Sequence, residues 1–199
     1  MIGCKGERFV VERHLKDRYF LMSNTPRIRK ISSRPAQFLV DNIKLLPEGR
    51  VFDVAMGTGR NAVYLAKMGF NVEGVDISSK AVSDALELAL KAGVAIRAET
   101  ADLEAQYNIK RNSYDVIICF YYLQRSLIAQ IKDGLKEGGV VVYETYIVDQ
   151  AKFGRPKNSN YLLEHNELLD MFRDFRCLHY REGIMEDRKA IASIVAEKV

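Results

Sequence analysis

Between Val51 and Ala62 the chain reads V-F-D-V-A-M-G-T-G-R-N-A, two closely spaced glycines just behind an acid. Gly57 and Gly59 have no side chains, so a backbone built on them can turn sharply and lie close against a ligand. A helix starting there adds unpaired N–H groups and the positive end of its dipole. Two chemistries suit such a turn. Written Gly57-x-Gly59-x-x-Ala62, with Asp76 fourteen residues on, it satisfies a dinucleotide fingerprint, with pyrophosphate on the helix N-terminus. Written from Asp53, it is a cradle that begins with a carboxylate, which repels a pyrophosphate and attracts a cationic amine.

Two further acids stand at comparable places. Val72-Glu73-Gly74-Val75-Asp76 puts Asp76 at the tip of a second strand, where it can accept both hydroxyls of a ribose. NAD sites use such an acid too, so it does not discriminate. Ala101-Asp102-Leu103 follows a third strand, and an acid there can accept from an exocyclic adenine amine while Leu103 packs on the ring. Three acids at three successive strand ends are many for a site meant to hold a dianion. Each taken singly is also a common turn former. The ligand reading rests on Asp53 and Asp76 together with the two glycines.

The elements that must position these residues alternate regularly. Ala36–Leu46 reads as a short amphipathic helix, Arg50–Val54 as a buried strand and Gly59–Met68 as a helix closed by Gly69. Asn71–Val75 is a strand, and Ser78 caps a helix running to Ala92 before Gly93. That helix carries an apolar stripe of Ile77, Ala81, Val82, Ala85, Leu86 and Ala89. Strands are expected over Val94–Glu99, Tyr114–Phe120 and Val140–Tyr146. Helices are expected over Leu123–Lys136, ended by Gly138-Gly139, and over Glu164–Phe172, with a loop from Asp149 to Asn160. Phe175–Arg181 and Ala190–Glu197 are two strands too closely spaced for a helical crossover, so they form a hairpin. The pattern predicts an α/β, Rossmann-like doubly wound sheet, parallel through five strands and closed by an antiparallel pair.

Composition bounds the rest. The 199 residues, 48% hydrophobic and 28% charged, fit one folded domain. No segment approaches the length of a membrane span, and the N-terminal region does not read as a signal peptide. Three scattered cysteines suggest neither disulfides nor a zinc knuckle, and a reducing, cytoplasmic setting is the simplest reading. Cys119, inside an apolar strand, reads as core, and the three histidines fall in no metal-spaced set, so no metal is assigned. Residues 1–34 carry nine basic and three acidic residues, a net of +6, against −2 for the remainder. We divide the chain into a basic N-terminal arm or lid at 1–33 and a ligand-binding domain at 34–199. The near-neutral domain argues against a large duplex-binding face, so nucleic acid is not expected as a partner.

The segment Asp53–Asp76 resembles motif I and its surroundings in the class I S-adenosylmethionine (SAM)-dependent methyltransferases, and most of all the group related to the tellurite-resistance methyltransferase TehB. Tyr121–Ser126, Leu135–Gly139, Tyr143-Glu144-Thr145 and Gly154–Asn158 are similar as well, so the likeness covers roughly residues 34–183. It implies a seven-stranded sheet with a reversed final strand and SAM as methyl donor. Asp53 and the Gly57–Gly59 loop would lie near the methionine part, with Ala55, Arg60 and Asn61 beside them. Asp76 and Ile77 would meet the ribose, Asp102 and Leu103 the adenine, and Phe120 would line the pocket. Ala55 departs from the pattern by standing where the family usually has its first glycine, and Met56 stands where a cysteine is common. The added alanine methyl is small, compatible with binding but a source of local strain.

Methyl transfer asks the protein mainly to align a nucleophile with an activated carbon and to exclude water. A soft thiolate or chalcogenide hardly needs a base, and no catalytic residue can be assigned from the sequence. Tyr121, Tyr122, Glu144, Tyr146 and Arg155 are candidates for the acceptor side, Arg155 through its fork of donors toward an anion. No Asp/Asn-Pro-Pro-aromatic run follows the fourth strand and no Pro-Cys pair occurs, which disfavours amino-group methylases of bases and glutamine and cytosine-C5 enzymes. A small-molecule acceptor, handled by a monomer or homodimer, is the expectation. The alternatives are a methylase of RNA or protein that uses the arm, a SAM-binding regulator without turnover, and a NAD-type Rossmann protein.

Overall fold

The computed structural model describes residues 34–105 and 107–199. The basic arm at 1–33 lies outside them. Seven strands form one sheet: β1 (Arg50–Val54), β2 (Asn71–Asp76), β3 (Arg97–Thr100), β4 (Tyr114–Phe120), β5 (Leu135–Tyr146), β6 (Arg176–Ile184) and β7 (Ala190–Glu197). Their order is β3-β2-β1-β4-β5-β7-β6. The first five strands are parallel. β7 runs antiparallel to both β5 and β6, so the hairpin slots its second strand inward and leaves β6 at the edge. The chain reverses its direction of travel between β1 and β4, and ligands of open α/β sheets bind at such a switch point.

Helices cover both faces. On one face α1 (Gln37–Asp41), α2 (Arg60–Lys67) and α3 (Ser79–Lys91) pack down, with Phe38, Leu39 and Leu65 buried against Val51, Ile118 and Val142. On the other, α4 (Ile128–Gly134) and α5 (Glu167–Met171) set Ile131, Leu168 and their neighbours against Ile117, Val141 and Ile194. The central strands are buried on both sides, which is why β4 reads as an almost unbroken apolar run. No helix among the described residues is long and apolar enough to cross a membrane.

Several boundaries depart from the pattern. The expected helix at Ala36–Leu46 is split, because α1 stops at Asp41 and a 3-10 turn takes over at Ile43–Leu45. Asn42, between them, turns its side-chain amide back to the Phe38 carbonyl (2.8 Å). β3 starts at Arg97, not Val94, because the Val94 N–H is consumed closing α3 on the Ala89 carbonyl (3.1 Å). Ile77 precedes the cap of α3 and is exposed, as is Leu86, so the buried stripe reduces to Val82, Ala85 and Ala89. The helix expected to reach Lys136 ends at Gly134, where an added Cβ would lie 2.7 Å from Ile109. Leu135 already pairs with Tyr114, and Lys136–Gly139 form an irregularity inside β5. The double glycine therefore interrupts a strand and does not separate helix from strand. The expected loop at 149–160 includes two 3-10 turns, and α5 is shorter than Glu164–Phe172.

One long-range tie bears on the site. Asn61, buried in the first turn of α2, accepts the Ala36 N–H at 2.8 Å and so fixes the start of α1. Asn61→Ala strands that buried donor and is expected to cost about 1–3 kcal/mol, read as a lower urea midpoint. An unchanged midpoint would show the tie to be dispensable.

Candidate active site

β1 delivers Asp53 to the switch point, and the chain then reverses in five residues to enter α2. The turn is made by left-handed backbone at Ala55 (φ +52°), Gly57 (φ +57°) and Gly59 (φ +74°). The two glycines serve different ends. A Cβ on Gly59 would sit 2.6 Å from the Ala85 Cβ, so this position lets α2 approach α3. A Cβ on Gly57 would meet nothing within 4 Å, so this position faces open space above the loop. Met56 lies over Gly74 of β2, where an added Cβ would be 2.7 Å from its sulfur, which explains how a long side chain fits beside the turn.

Asp53 is 2% exposed, and its Oδ2 is a fully buried oxygen without a hydrogen-bond partner among the described residues. Burial raises its pKa from the ordinary 3.8 to about 8; the neighbouring Asp76 adds to that, while Arg60 and the Ala62 N–H pull it down. A carboxyl set so is short of a cationic donor. Asp76, at the end of β2, accepts the Gly57 N–H through Oδ2 (2.8 Å) and the Ser78 N–H through Oδ1 (2.9 Å), locking the glycine loop to the neighbouring strand. Asp102 is exposed and its Oδ1 accepts the Glu104 N–H (2.8 Å), a turn-forming contact that leaves the other oxygen to solvent. Leu103 is buried beside it. Gln124 braces this loop, donating to the Leu103 carbonyl (3.1 Å) and accepting from the Tyr122 hydroxyl (2.6 Å).

A cleft of about 540 Å³ opens beside the loop, walled by Phe38, Arg60, Tyr121, Glu144, Arg181 and Lys189. Tyr121 is held in left-handed backbone (φ +59°) by its N–H to the Glu144 carbonyl (2.8 Å). Its ring packs on that of Tyr146 at 5.2 Å, with the Arg60 guanidinium 5.7 Å and the Lys189 ammonium 5.9 Å from its centre. Burial raises the Tyr121 pKa, and the nearby Glu144 carboxylate raises it further. Across β5, β7 and β6 a polar row lies in register, Glu144 opposite Ser193 and Ser193 opposite Arg181. Oε2 of the buried Glu144 accepts from the Ser193 hydroxyl (2.8 Å) and from Arg181 (3.1 Å).

The structure thus gathers Asp53, Gly57, Gly59, Arg60 and Asp76 at the turn, and Tyr121, Glu144 and Tyr146 around the cleft. Others stand apart. Asn61 is engaged with α1. Phe120 is buried in the apolar layer under that helix. Tyr122 packs on the opposite sheet face, where burial moves its hydroxyl up to about 12. Arg155 is exposed in the loop after β5. Arg181, Ser193 and Lys189 escaped the sequence reading. The signal for Ser193 was a lone hydroxyl in the apolar run A-I-A-S-I-V-A; for Arg181 and Lys189 only the hairpin register could have told.

Residues 51–139 match the family model of a methyltransferase domain. Among curated proteins the chain is 28% identical to the probable SAM-dependent methyltransferase TehB of Haemophilus influenzae over 159 residues, 76% of this chain and 54% of that one. It is 35% identical over 101 residues to a ubiquinone biosynthesis O-methyltransferase of Ralstonia nicotianae, covering 48% and 42%. The chain therefore spans about half the length of the curated relatives it matches. The crystal structure of the Haemophilus TehB superposes with a TM-score of 0.70 at 22% identity, covering 92% of this chain and 66% of that one. Geranyl diphosphate C-methyltransferase from Streptomyces coelicolor, solved with S-adenosylhomocysteine, superposes at 0.63 with 16% identity, covering 82% and 76%. The match to a methyltransferase domain thus covers the glycine turn and the strands on either side of it, and the sheet as a whole has the fold of these solved structures. In both sequence and fold the chain is similar to TehB.

Proposed function

We propose that the protein transfers a methyl group from SAM to a small-molecule acceptor held in the cleft. The observation that carries this reading is the buried, unpartnered Oδ2 of Asp53 at the mouth of the glycine turn. A methionine ammonium supplies the donor and the positive charge that this oxygen lacks; a pyrophosphate supplies neither. Bound SAM brings a methyl group on a sulfonium, already activated for displacement. The chain's own part is to hold and to enclose. Asp53 takes the ammonium, the backbone over Gly57 and Gly59 admits close approach, and Asp76 accepts the ribose hydroxyls on the lone pairs its two amide contacts leave. The Asp102–Leu103 loop, braced by Gln124, receives the adenine. The acceptor enters from the Tyr121 and Glu144 side.

Asp76→Ala is expected to lower SAM affinity about 100-fold or more in calorimetry, two charge-assisted hydrogen bonds being lost, while the far-ultraviolet circular dichroism stays native. The same titration with NAD is expected to show no binding. Unchanged SAM affinity in the variant, or NAD bound in preference by the wild type, would sink the reading.

A further inference from the structure

The turn after β3 hangs from the backbone of Asp76 at one end and from Gln124 in its middle. Ala101 donates to the Asp76 carbonyl (3.0 Å), which carries the ladder between β2 and β3 just past its last strand pair. Within the turn the contacts are local. The Glu104 N–H meets Asp102 Oδ1 (2.8 Å), and the Ala105 N–H meets the Asp102 carbonyl (3.3 Å). The hydrogen bond that reaches the turn from another element runs from Gln124 Nε2 to the Leu103 carbonyl (3.1 Å). The Leu103 side chain is buried in the same apolar cluster as Cys119, Leu123 and Tyr143.

Gln124 is itself set by donors that run back into the sheet. The Tyr122 hydroxyl donates to its Oε1 (2.6 Å), so the amide turns its NH2 toward Leu103, with Ser126 Oγ 3.3 Å from the same nitrogen. Rotated the other way, it would set oxygen against the Leu103 carbonyl oxygen. Burial first, then the Glu104 carboxylate, keeps the Tyr122 hydroxyl protonated and a donor, its pKa pushed up to about 12. Behind it, the Tyr122 carbonyl accepts from the hydroxyl of the buried Tyr143 on β5 (2.8 Å). Tyr122 therefore serves the turn after β3, not the cleft that Tyr121 walls.

With the turn pinned at Asp76 and at Leu103, Asp102 presents its second oxygen outward, and an ionised carboxylate has no hydrogen to give. A purine with an exocyclic amine brings a hydrogen to that oxygen. A purine with an oxo group in the same place meets it oxygen to oxygen. Resting on the methyl-transfer reading above, we infer that Gln124, oriented by Tyr122, is the positioning residue through which this turn tells the amino purine of the donor from an oxo purine. The pair acts through the turn, without touching the donor, by holding the Asp102 oxygen at one place before the edge of the base. A turn free to drift rotates Asp102 away from an opposing oxygen as readily as from a partner. Looseness therefore costs the amine its acceptor and spares the oxo group its repulsion. What the pair supplies is selectivity more than affinity for the parts the two ligands share.

The test titrates the full chain by calorimetry with S-adenosylhomocysteine and with S-inosylhomocysteine, which carries an oxo group in place of the purine amine. Wild type is expected to prefer the adenosyl compound about 100-fold, and Gln124→Ala less than about tenfold. The loss falls on the adenosyl compound, while affinity for the inosyl compound changes less than about threefold. Tyr122→Phe moves the ratio the same way, and the double variant goes no further than Gln124→Ala alone. Four results would each overturn the inference: a wild type that binds both compounds alike, an equal loss for both in Gln124→Ala, an unchanged ratio, or losses that add in the double variant. The wild-type comparison and Tyr122→Phe decide the matter if Gln124→Ala fails to fold. A wild type that binds neither compound is a different result, which removes the methyl-transfer reading and this inference with it.

Discussion

Asp53→Asn yields a protein that is more stable in the absence of ligand and no longer binds SAM. In the folded protein the Asp53 carboxyl titrates at about 8, while in the unfolded chain it returns to its ordinary 3.8, burial being the main cause. Between those values the unfolded state releases a proton that the folded state keeps. Stability therefore falls as pH rises from about 4 to about 8, the opposite of a salt-bridged acid. Each pKa unit is worth about 1.4 kcal/mol, so the full span sets an upper bound near 6 kcal/mol, and relaxation around the carboxyl brings the expected gain to about 3 kcal/mol at pH 8. Asparagine has nearly the shape of the protonated acid and nothing to ionise. Denaturant melts of both proteins at pH 5 and pH 8 check this: the variant's advantage should be small at the lower pH and large at the higher. A variant no more stable than wild type at pH 8 would show that the buried carboxyl is not strained. Binding has its own signature. A bound ammonium holds Asp53 ionised, so SAM binding releases a proton below pH 8, visible as a buffer-dependent enthalpy, and affinity falls as pH is lowered.

The second large effect separates two glycines that a motif treats alike. Gly59→Ala places a methyl 2.6 Å from the Ala85 Cβ in left-handed backbone, so α2 must move away from α3. A loss of about 2–3 kcal/mol in urea unfolding is expected. Gly57→Ala has open space around its new methyl and pays only for the φ of +57°, about 1 kcal/mol. Its methyl projects into the space the ligand must enter, so the loss appears as at least about tenfold weaker SAM binding in calorimetry. Were Gly57→Ala the unstable one and Gly59→Ala the poor binder, the division of labour at the turn would be reversed.

The parts legible in the sequence were those whose physics is local. β1 and β4 appear at the residues their apolar runs predict, and Ser78 caps α3 through the Ala81 N–H as its side chain promised. The reversed last strand came from the short spacing of the hairpin. What was not legible depended on partners distant in the chain. The double glycine at 138–139 looks like a helix stop, yet Gly138 and Gly139 bond with Lys198, sixty residues on, inside a strand. Asn61 reads as a site residue from its place in the motif, but its partner is Ala36. The polar row of Glu144, Ser193 and Arg181 exists only once three strands have been put in register, and no local spacing announces it. Ala55 lies between these cases: its place in the motif suggested strain, and its φ of +52° carries it.

The inward placement of β7 makes the cleft's far wall all-or-none. Among the described residues β6 has no ladder partner except β7, and Ser193 and Arg181 are brought to Glu144 through that pair of ladders. Withdrawing the strand would leave the buried Glu144 carboxyl without its hydroxyl and guanidinium partners, a costly state. The tail of this sequence and its chemistry are therefore a single cooperative unit. Amide protons of β5, β6 and β7 should exchange with solvent together, and a chain shortened by those last residues should be inert before it is visibly misfolded.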